Sequence, residues 1–196
     1  MQITILGKGN MGAPLAELAS AAGHSVASLG SQDDARAAIA AADVVFLAMK
    51  YEQALTFARN ANTAELLRGK IVVDITNPLA ADFMSLTVGH DSSGGEEIAK
   101  ALSGASVIKA FNTIFASVLA DHVSGKKTSI PIFVAGDEEA AVNKVLSLVR
   151  TMGLEAIGAG SLSNARYLEP MTEMMIQLGY GLGHGDRIGF VLQKAT

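Results

Sequence analysis

Three glycines in Gly7-Lys8-Gly9-Asn10-Met11-Gly12 have the spacing that lets a backbone close around an anion. The run Gln2 to Leu6 before them is apolar, and after them Leu15, Leu18, Ala19 and Ala22 recur on one helical face. Strand, glycine turn and helix in that order make the turn that receives a dinucleotide pyrophosphate. Gly7 permits the tight turn, Gly9 lets the backbone approach the phosphates, and Gly12 lets the helix pack close to the sheet. The amides of Asn10 and Met11, with Lys8 beside them, would face the anion at the positive end of the helix dipole. Without a ligand, the same residues would be an ordinary glycine turn.

The end of the second strand should meet the adenosine ribose, where an NAD-preferring site usually places Asp or Glu. Ala27 to Gln32 contains no acid. Ser31 and Gln32 offer hydrogen bonds, and Arg36 could reach a 2′-phosphate, which favours NADP over NAD. Asp33 and Asp34 pull the other way, although at a helix start they could serve as caps. Ala48-Met49-Lys50, Asn77-Pro78 and Asn112-Thr113 follow the third, fourth and fifth strands and would complete the cleft, or else form plain turns. No Ser-His-Asp arrangement, close carboxylate pair or histidine on a motif-bearing loop offers an acid or base, so no catalytic residue is assigned. Hydride transfer between two planar carriers needs mainly positioning and a dry site.

These residues need strands to carry them. The candidates are Gln2 to Leu6, His24 to Leu29, Asp43 to Met49, Lys70 to Thr76, Ser106 to Phe111 and Ile130 to Ala135, several of them continuously apolar, as in strands buried on both faces. Between them Asn10 to Ala22, Asp33 to Ala42, Tyr51 to Leu67, Glu96 to Leu102, Phe115 to Asp121 and Asp137 to Met152 read as helices, and His90 to Gly95 as a flexible loop. The alternation predicts an α/β fold of Rossmann type, doubly wound around a mostly parallel sheet, over residues 1–153. Residues 154–196 read as a small helical C-terminal portion: a short strand at Leu154 to Ile157, a long helix from Ser161 to Leu182, and a final strand at Ile188 to Leu192. Met171, Met174, Met175, Ile176 and Leu178 give that helix more apolar surface than one sheet needs, which suits a core helix or a homodimer contact.

Composition narrows the partners. Of 196 residues 49% are hydrophobic and 17% charged, and mean hydropathy is +0.33, which describes a rich core. A net charge of −4 with 15 basic residues lacks the cationic stripe of a nucleic-acid binder. The longest apolar stretch, Ala37 to Met49, is interrupted by Asp43, so no membrane partner is expected. Cysteine is absent and the four histidines are scattered, which argues against a metal site. No signal-like segment opens the chain, and the expectation is cytoplasmic.

At these residues the chain resembles the NADPH-dependent oxidoreductases typified by the F-420-dependent NADP reductase, and the nucleotide-binding domain of six-transmembrane ferric reductases. The resemblance runs end to end through GKGNMG at 7–12, GS at 30–31, DITNPL at 74–79, VIKAFNT at 107–113 and GSLSNARYLEPMTEMMIQLGYGLG at 160–183. It implies NADP as cofactor, a dimer, and hydride transfer to a deazaflavin (coenzyme F-420) or flavin-like small-molecule acceptor. Gly7, Gly9, Asn10, Met11 and Gly12 would hold the pyrophosphate, and Ser31 and Arg36 the 2′-phosphate. Gln32 stands where the family often has arginine. A ferric or flavin reductase, or a non-enzymatic NADP-binding sensor, is the alternative.

Overall fold

The computed structural model describes residues 1–195. Seven strands make one sheet: β1 (Gln2–Leu6), β2 (Ser25–Leu29), β3 (Val44–Leu47), β4 (Ile71–Asp74), β5 (Ser106–Lys109), β6 (Ile132–Gly136) and β7 (Ala156–Gly158). Their order is β2-β1-β3-β4-β5-β6-β7. The first five are parallel, β6 runs antiparallel to β5, and β7 is parallel to β6. The reversed strand meets β5 at only two register pairs, Ile108 with Gly136 and Lys109 with Ala135.

Among the described residues there are eight α-helices: α1 (Gly12–Ala21), α2 (Arg36–Ala41), α3 (Tyr51–Arg59), α4 (Ala61–Leu66), α5 (Gly94–Ala101), α6 (Ala116–Val123), α7 (Glu139–Thr151) and α8 (Ala165–Ile176). Strand residues alternate between two cores, as the two-residue period of a pleated strand requires. Val44, Phe46, Val73 and Ile108 pack with Leu15, Leu119 and Val145 of α1, α6 and α7. Val45, Leu47, Val72 and Val107 pack with Ile39, Ala54 and Ile98 of α2, α3 and α5. Helices on both faces of a mostly parallel sheet make this a Rossmann-like, doubly wound fold with a small helical C-terminal portion.

Three elements differ from the sequence reading. The helix expected over Tyr51 to Leu67 breaks at Asn60, whose extended backbone ends α3 and whose side chain accepts from the amides of Asn62 and Thr63 to cap α4. The expected long helix from Ser161 is divided into a 3₁₀ turn (Leu162–Asn164), α8 and a π turn (Gln177–Gly181). The final strand at Ile188 to Leu192 does not form. Neighbouring residues anchor this stretch to α6 and to the residue ahead of β6 instead of a sheet edge. Ser117 donates to the Asp186 carbonyl, Arg187 pairs with Asp121 at 2.8 Å, and Gly189 packs on Ile130.

Candidate functional site

The parallel strands β1 to β5 end at one edge of the sheet, and the chain leaves each through a segment that the sequence reading singled out. Successive strands are added on opposite sides of β1, so the crevice lies where β1 and β3 diverge. There Gly7 and Gly12 are glycine for reasons internal to the fold. Gly7 has φ +125°, and a Cβ on it would lie 1.9 Å from the Ala48 carbonyl oxygen. On Gly12 a Cβ would lie 1.9 Å from the Gly7 carbonyl oxygen. Gly9 is different: its backbone does not demand glycine, and a Cβ there would meet nothing within 4 Å. Packing therefore does not account for Gly9, and its open backbone leaves room for a ligand to lie against it. This open cradle, at the entry to α1, fits a dinucleotide pyrophosphate.

Lys8, Gly9 and Asn10 are exposed and Met11 half-buried, so the turn presents itself to solvent. At the end of β2, Ser31, Gln32 and Arg36 are also exposed. Arg36 is held by Asp34, with Nε 2.9 Å from Oδ1 and Nη2 2.7 Å from Oδ2, and this hydrogen bonding brings the Asp34 carboxyl down to about 2. Asp33 Oδ2 accepts from Lys8 Nζ at 2.8 Å and from the Gly30 amide at 2.8 Å, and those bonds lower its pKa. The N-cap position of α2 is Ala35, and Asp34 Oδ1 accepts from the Arg36 amide at 3.1 Å at the start of that helix, whereas Asp33 turns to Lys8 and Gly30. Ala48 packs under the glycine turn, Met49 joins the core beneath α3, and Lys50 is exposed, its amide donating to Gln53 Oε1 at 3.3 Å.

Asn77 and Asn112 come together at the ends of β4 and β5. Asn112 Nδ2 donates to Asn77 Oδ1 at 3.0 Å and to the Leu168 carbonyl of α8 at 3.1 Å, and Thr172 Oγ1 donates to the Asn112 carbonyl at 2.9 Å. Pro78 is buried beside them. The chain enters this corner through Phe111, fully buried with φ +61°, a conformation that costs a non-glycine residue about 1–3 kcal/mol. Thr76 Oγ1, Asn112 Oδ1 and Thr113 Oγ1 are buried there without hydrogen-bond partners. Strain and unmet polar atoms thus collect at the strand ends, as at sites completed by a ligand.

Under this corner lies a cluster the sequence reading missed. In-register Asp74 and Lys109 share the face that meets α5, since they follow Val72 and Val107 by two residues. Lys109 Nζ, wholly buried, lies 2.8 Å from Asp74 Oδ2, 2.7 Å from Glu169 Oε1 and 2.6 Å from the Thr76 carbonyl. Burial opposes the ammonium charge, but the two carboxylates outweigh it and raise the Lys109 pKa. Glu169 also accepts from the amides of Gly94 and Gly95 at 2.8 and 3.0 Å. The stretch expected to be a flexible loop therefore ends in a buried helix start capped by Ser93, and its glycines are packing residues. A Cβ on Gly94 would meet the Tyr51 ring at 3.0 Å, and one on Gly95 the Lys109 side chain at 3.4 Å. A close carboxylate pair does exist, Asp74 with Glu169, joined by a lysine rather than poised to exchange a proton.

Two hollows lie away from the glycine turn: one of about 260 Å³ among Met175, Leu178, His184, Ile188, Gly189 and Phe190, another of about 190 Å³ beside Lys126 and Arg187. The glycine turn is an open crevice, and its residues' geometry rather than its depth marks it. Among the described residues no group of three or more His, Asp or Glu could hold a metal, and no helix is long and apolar enough to cross a membrane.

Residues 28–78 match the family described as NADP oxidoreductase coenzyme F420-dependent. The F420-dependent NADP reductase of Methanothermobacter marburgensis is 30% identical, the alignment covering 91% of this chain and 92% of that one. The metalloreductase STEAP3 of Rattus norvegicus is 28% identical over 86% of this chain, which spans only 36% of that longer protein. A solved structure from Arthrobacter sp. FB24, a candidate F420-dependent NADP reductase, superimposes with a TM-score of 0.85 at 27% identity, covering 99% of this chain and all of that one.

Proposed function

The chain belongs to the F420-dependent NADP reductase family, and from that premise we propose that it is an NADP-dependent oxidoreductase exchanging a hydride between NADP and a deazaflavin or flavin-like acceptor. The observation that carries this reading is Gly9, a glycine that the fold does not need, at the mouth of a strand-turn-helix unit. When bound, the nicotinamide supplies the hydride-carrying carbon. The protein's part is to hold and shield it.

In this reading the amides of Gly9, Asn10 and Met11 bind the pyrophosphate, and Lys8, Ser31, Gln32 and Arg36 surround the adenosine ribose. Ala48, Met49 and Lys50 border the middle of the cofactor. Asn77, Pro78, Asn112 and Thr113 receive the nicotinamide end, where Thr113 Oγ1 and Asn112 Oδ1 have unmet hydrogen-bonding capacity. Residues 1–153 form the nucleotide-binding part, and residues 154–196 cover the acceptor side. No side chain needs to give or take a proton for the hydride itself to move, so rate depends on how rigidly the strand ends hold the two rings.

The exposed apolar side chains of the C-terminal portion, Tyr167, Met174, Tyr180 and Leu182, with Phe83 and Met84 of the loop between β4 and α5, support a homodimer built through α8. A cytoplasmic location goes with this reading. NADPH oxidation measured with F420, FMN or a ferric chelate as acceptor tests the function. Turnover with a deazaflavin or flavin is expected, turnover with ferric chelate alone would make the chain a metalloreductase, and NADPH binding with no turnover would make it a sensor.

A further inference from the structure

The 2′ end of the site carries two cations, Lys8 and Arg36, and each is already neutralised. Arg36 is gripped through two nitrogens by Asp34. Lys8, from the glycine turn, reaches across to Asp33. The Asp33 contact is the more telling because the same oxygen, Oδ2, also takes the Gly30 amide, both at 2.8 Å. Gly30 is the first residue beyond β2, the place where the adenosine 2′ substituent meets the protein. Although no acid stands within the last residues of the strand, the chain turns back and delivers one there from three residues further on.

A carboxylate so placed treats the two nucleotides differently. A ribose 2′-hydroxyl is a donor, and Asp33 is an acceptor anchored beside it. A 2′-phosphate is a dianionic acceptor that needs the Gly30 amide and the Lys8 ammonium, the two donors that Asp33 occupies. Ser31 and Gln32 add hydrogen bonds without charge, and the quartet Lys8, Arg36, Asp33 and Asp34 sums to zero.

We propose that Asp33 sets the nucleotide preference of this chain by competing with the 2′-phosphate for Lys8 and the Gly30 amide, so that the site accepts NADH with Asp33 in place and NADPH only with Asp33 displaced. The proposal rests on nucleotide binding at the glycine turn. It makes the protein less selective for NADPH than a member of the family with arginine at position 32, and it names one exposed carboxylate as the reason.

Calorimetric titration of the intact chain with NADPH and with NADH tests it. Asp33→Asn keeps an acceptor for the Gly30 amide and removes the charge, and it should tighten NADPH about tenfold while leaving NADH unchanged or weaker. Lys8→Gln should weaken NADPH more than NADH. If both nucleotides bind and Asp33→Asn leaves their ratio unmoved, or shifts it toward NADH, Asp33 is not the discriminator. If neither nucleotide binds the wild-type chain, the functional reading itself falls, and this proposal falls with it.

Discussion

Lys109 Nζ lies 2.7 Å from Glu169 Oε1 with both side chains sealed from solvent, so a strand of the parallel part of the sheet and a helix of the C-terminal portion share one buried charge pair. Asp74 completes the cluster at 2.8 Å from the same nitrogen. A buried pair is poor evidence of net stabilisation, but losing one partner strands the others.

Lys109→Met leaves two carboxylates facing each other in the interior. It should destabilise the fold by about 3–5 kcal/mol, as removal of one partner from a buried pair does. Glu169→Gln should do less harm, because its one carbonyl oxygen can still accept from either the Gly94 or the Gly95 amide, which reach different oxygens of Glu169, and Asp74 still faces the lysine. Urea unfolding of the two variants checks the order, and equal stabilities would contradict it.

Tyr51 stands at the edge of this cluster. Burial, with the charges of Glu97, Glu169 and Asp74 behind it, pushes its phenol up to about 12 from 10.0. A phenol with its pKa raised in the fold keeps a proton that the unfolded chain releases earlier. Its stabilisation is therefore complete below pH 10 and is lost as pH rises toward about 12. Tyr51→Phe should flatten the alkaline decline of the urea midpoint over that window. A decline of the same slope in the variant would assign it to other groups.

Gly9 and Gly12 should separate binding from folding. Gly9→Val projects a side chain into open space, so the melting temperature should hold while NADPH affinity falls beyond detection. Gly12→Ala drives a Cβ to 1.9 Å from a carbonyl oxygen and should lower the melting temperature first. Calorimetry and thermal melts on the same samples decide, and undiminished NADPH binding by Gly9→Val would remove the site from this turn.

On α8 the adjacent methionines have opposite fates. Met174 is 53% exposed and Met175 is 1% exposed. If α8 forms the homodimer contact, Met174→Glu should split it with the protomer intact, while Met175→Glu should unfold the C-terminal portion by burying a charge. Light scattering with circular dichroism reads both, and a wild-type chain that is monomeric at micromolar concentration would exclude the contact.

The glycine turn was legible because everything that defines it lies within six consecutive residues between a strand and a helix. Asn77 and Asn112 were legible as strand ends for the same local reason. The Lys109 cluster was not, since its members come from positions 74, 94, 95, 109 and 169 and meet only through strand register and helix packing. Gly94-Gly95 has the composition of a flexible connection, and only the neighbours its missing Cβ atoms admit reveal a packing role. At a helix start Asp33 and Asp34 both read as caps, but only Asp34 accepts from a backbone amide of α2, that of Arg36, while Asp33 turns to Lys8 and Gly30. The direction of β6 was hidden as well, because an apolar run reads alike whether it enters a sheet forwards or in reverse.

The short seam between β5 and β6 divides the sheet into two parts joined by little strand pairing. Four register pairs bind β4 to β5, and two bind β5 to β6. Beyond the seam, β6, β7 and α7 are held to the rest chiefly by side chains in the core they share with α1 and α6. Side-chain packing around Ile132, Val134, Val145, Leu148 and Val149, rather than strand pairing, therefore ties this edge to the parallel strands. The crevice at β1 and β3 lies on the other side of that seam, so a nucleotide bound there would rest on strands joined to their neighbours by four or five register pairs each.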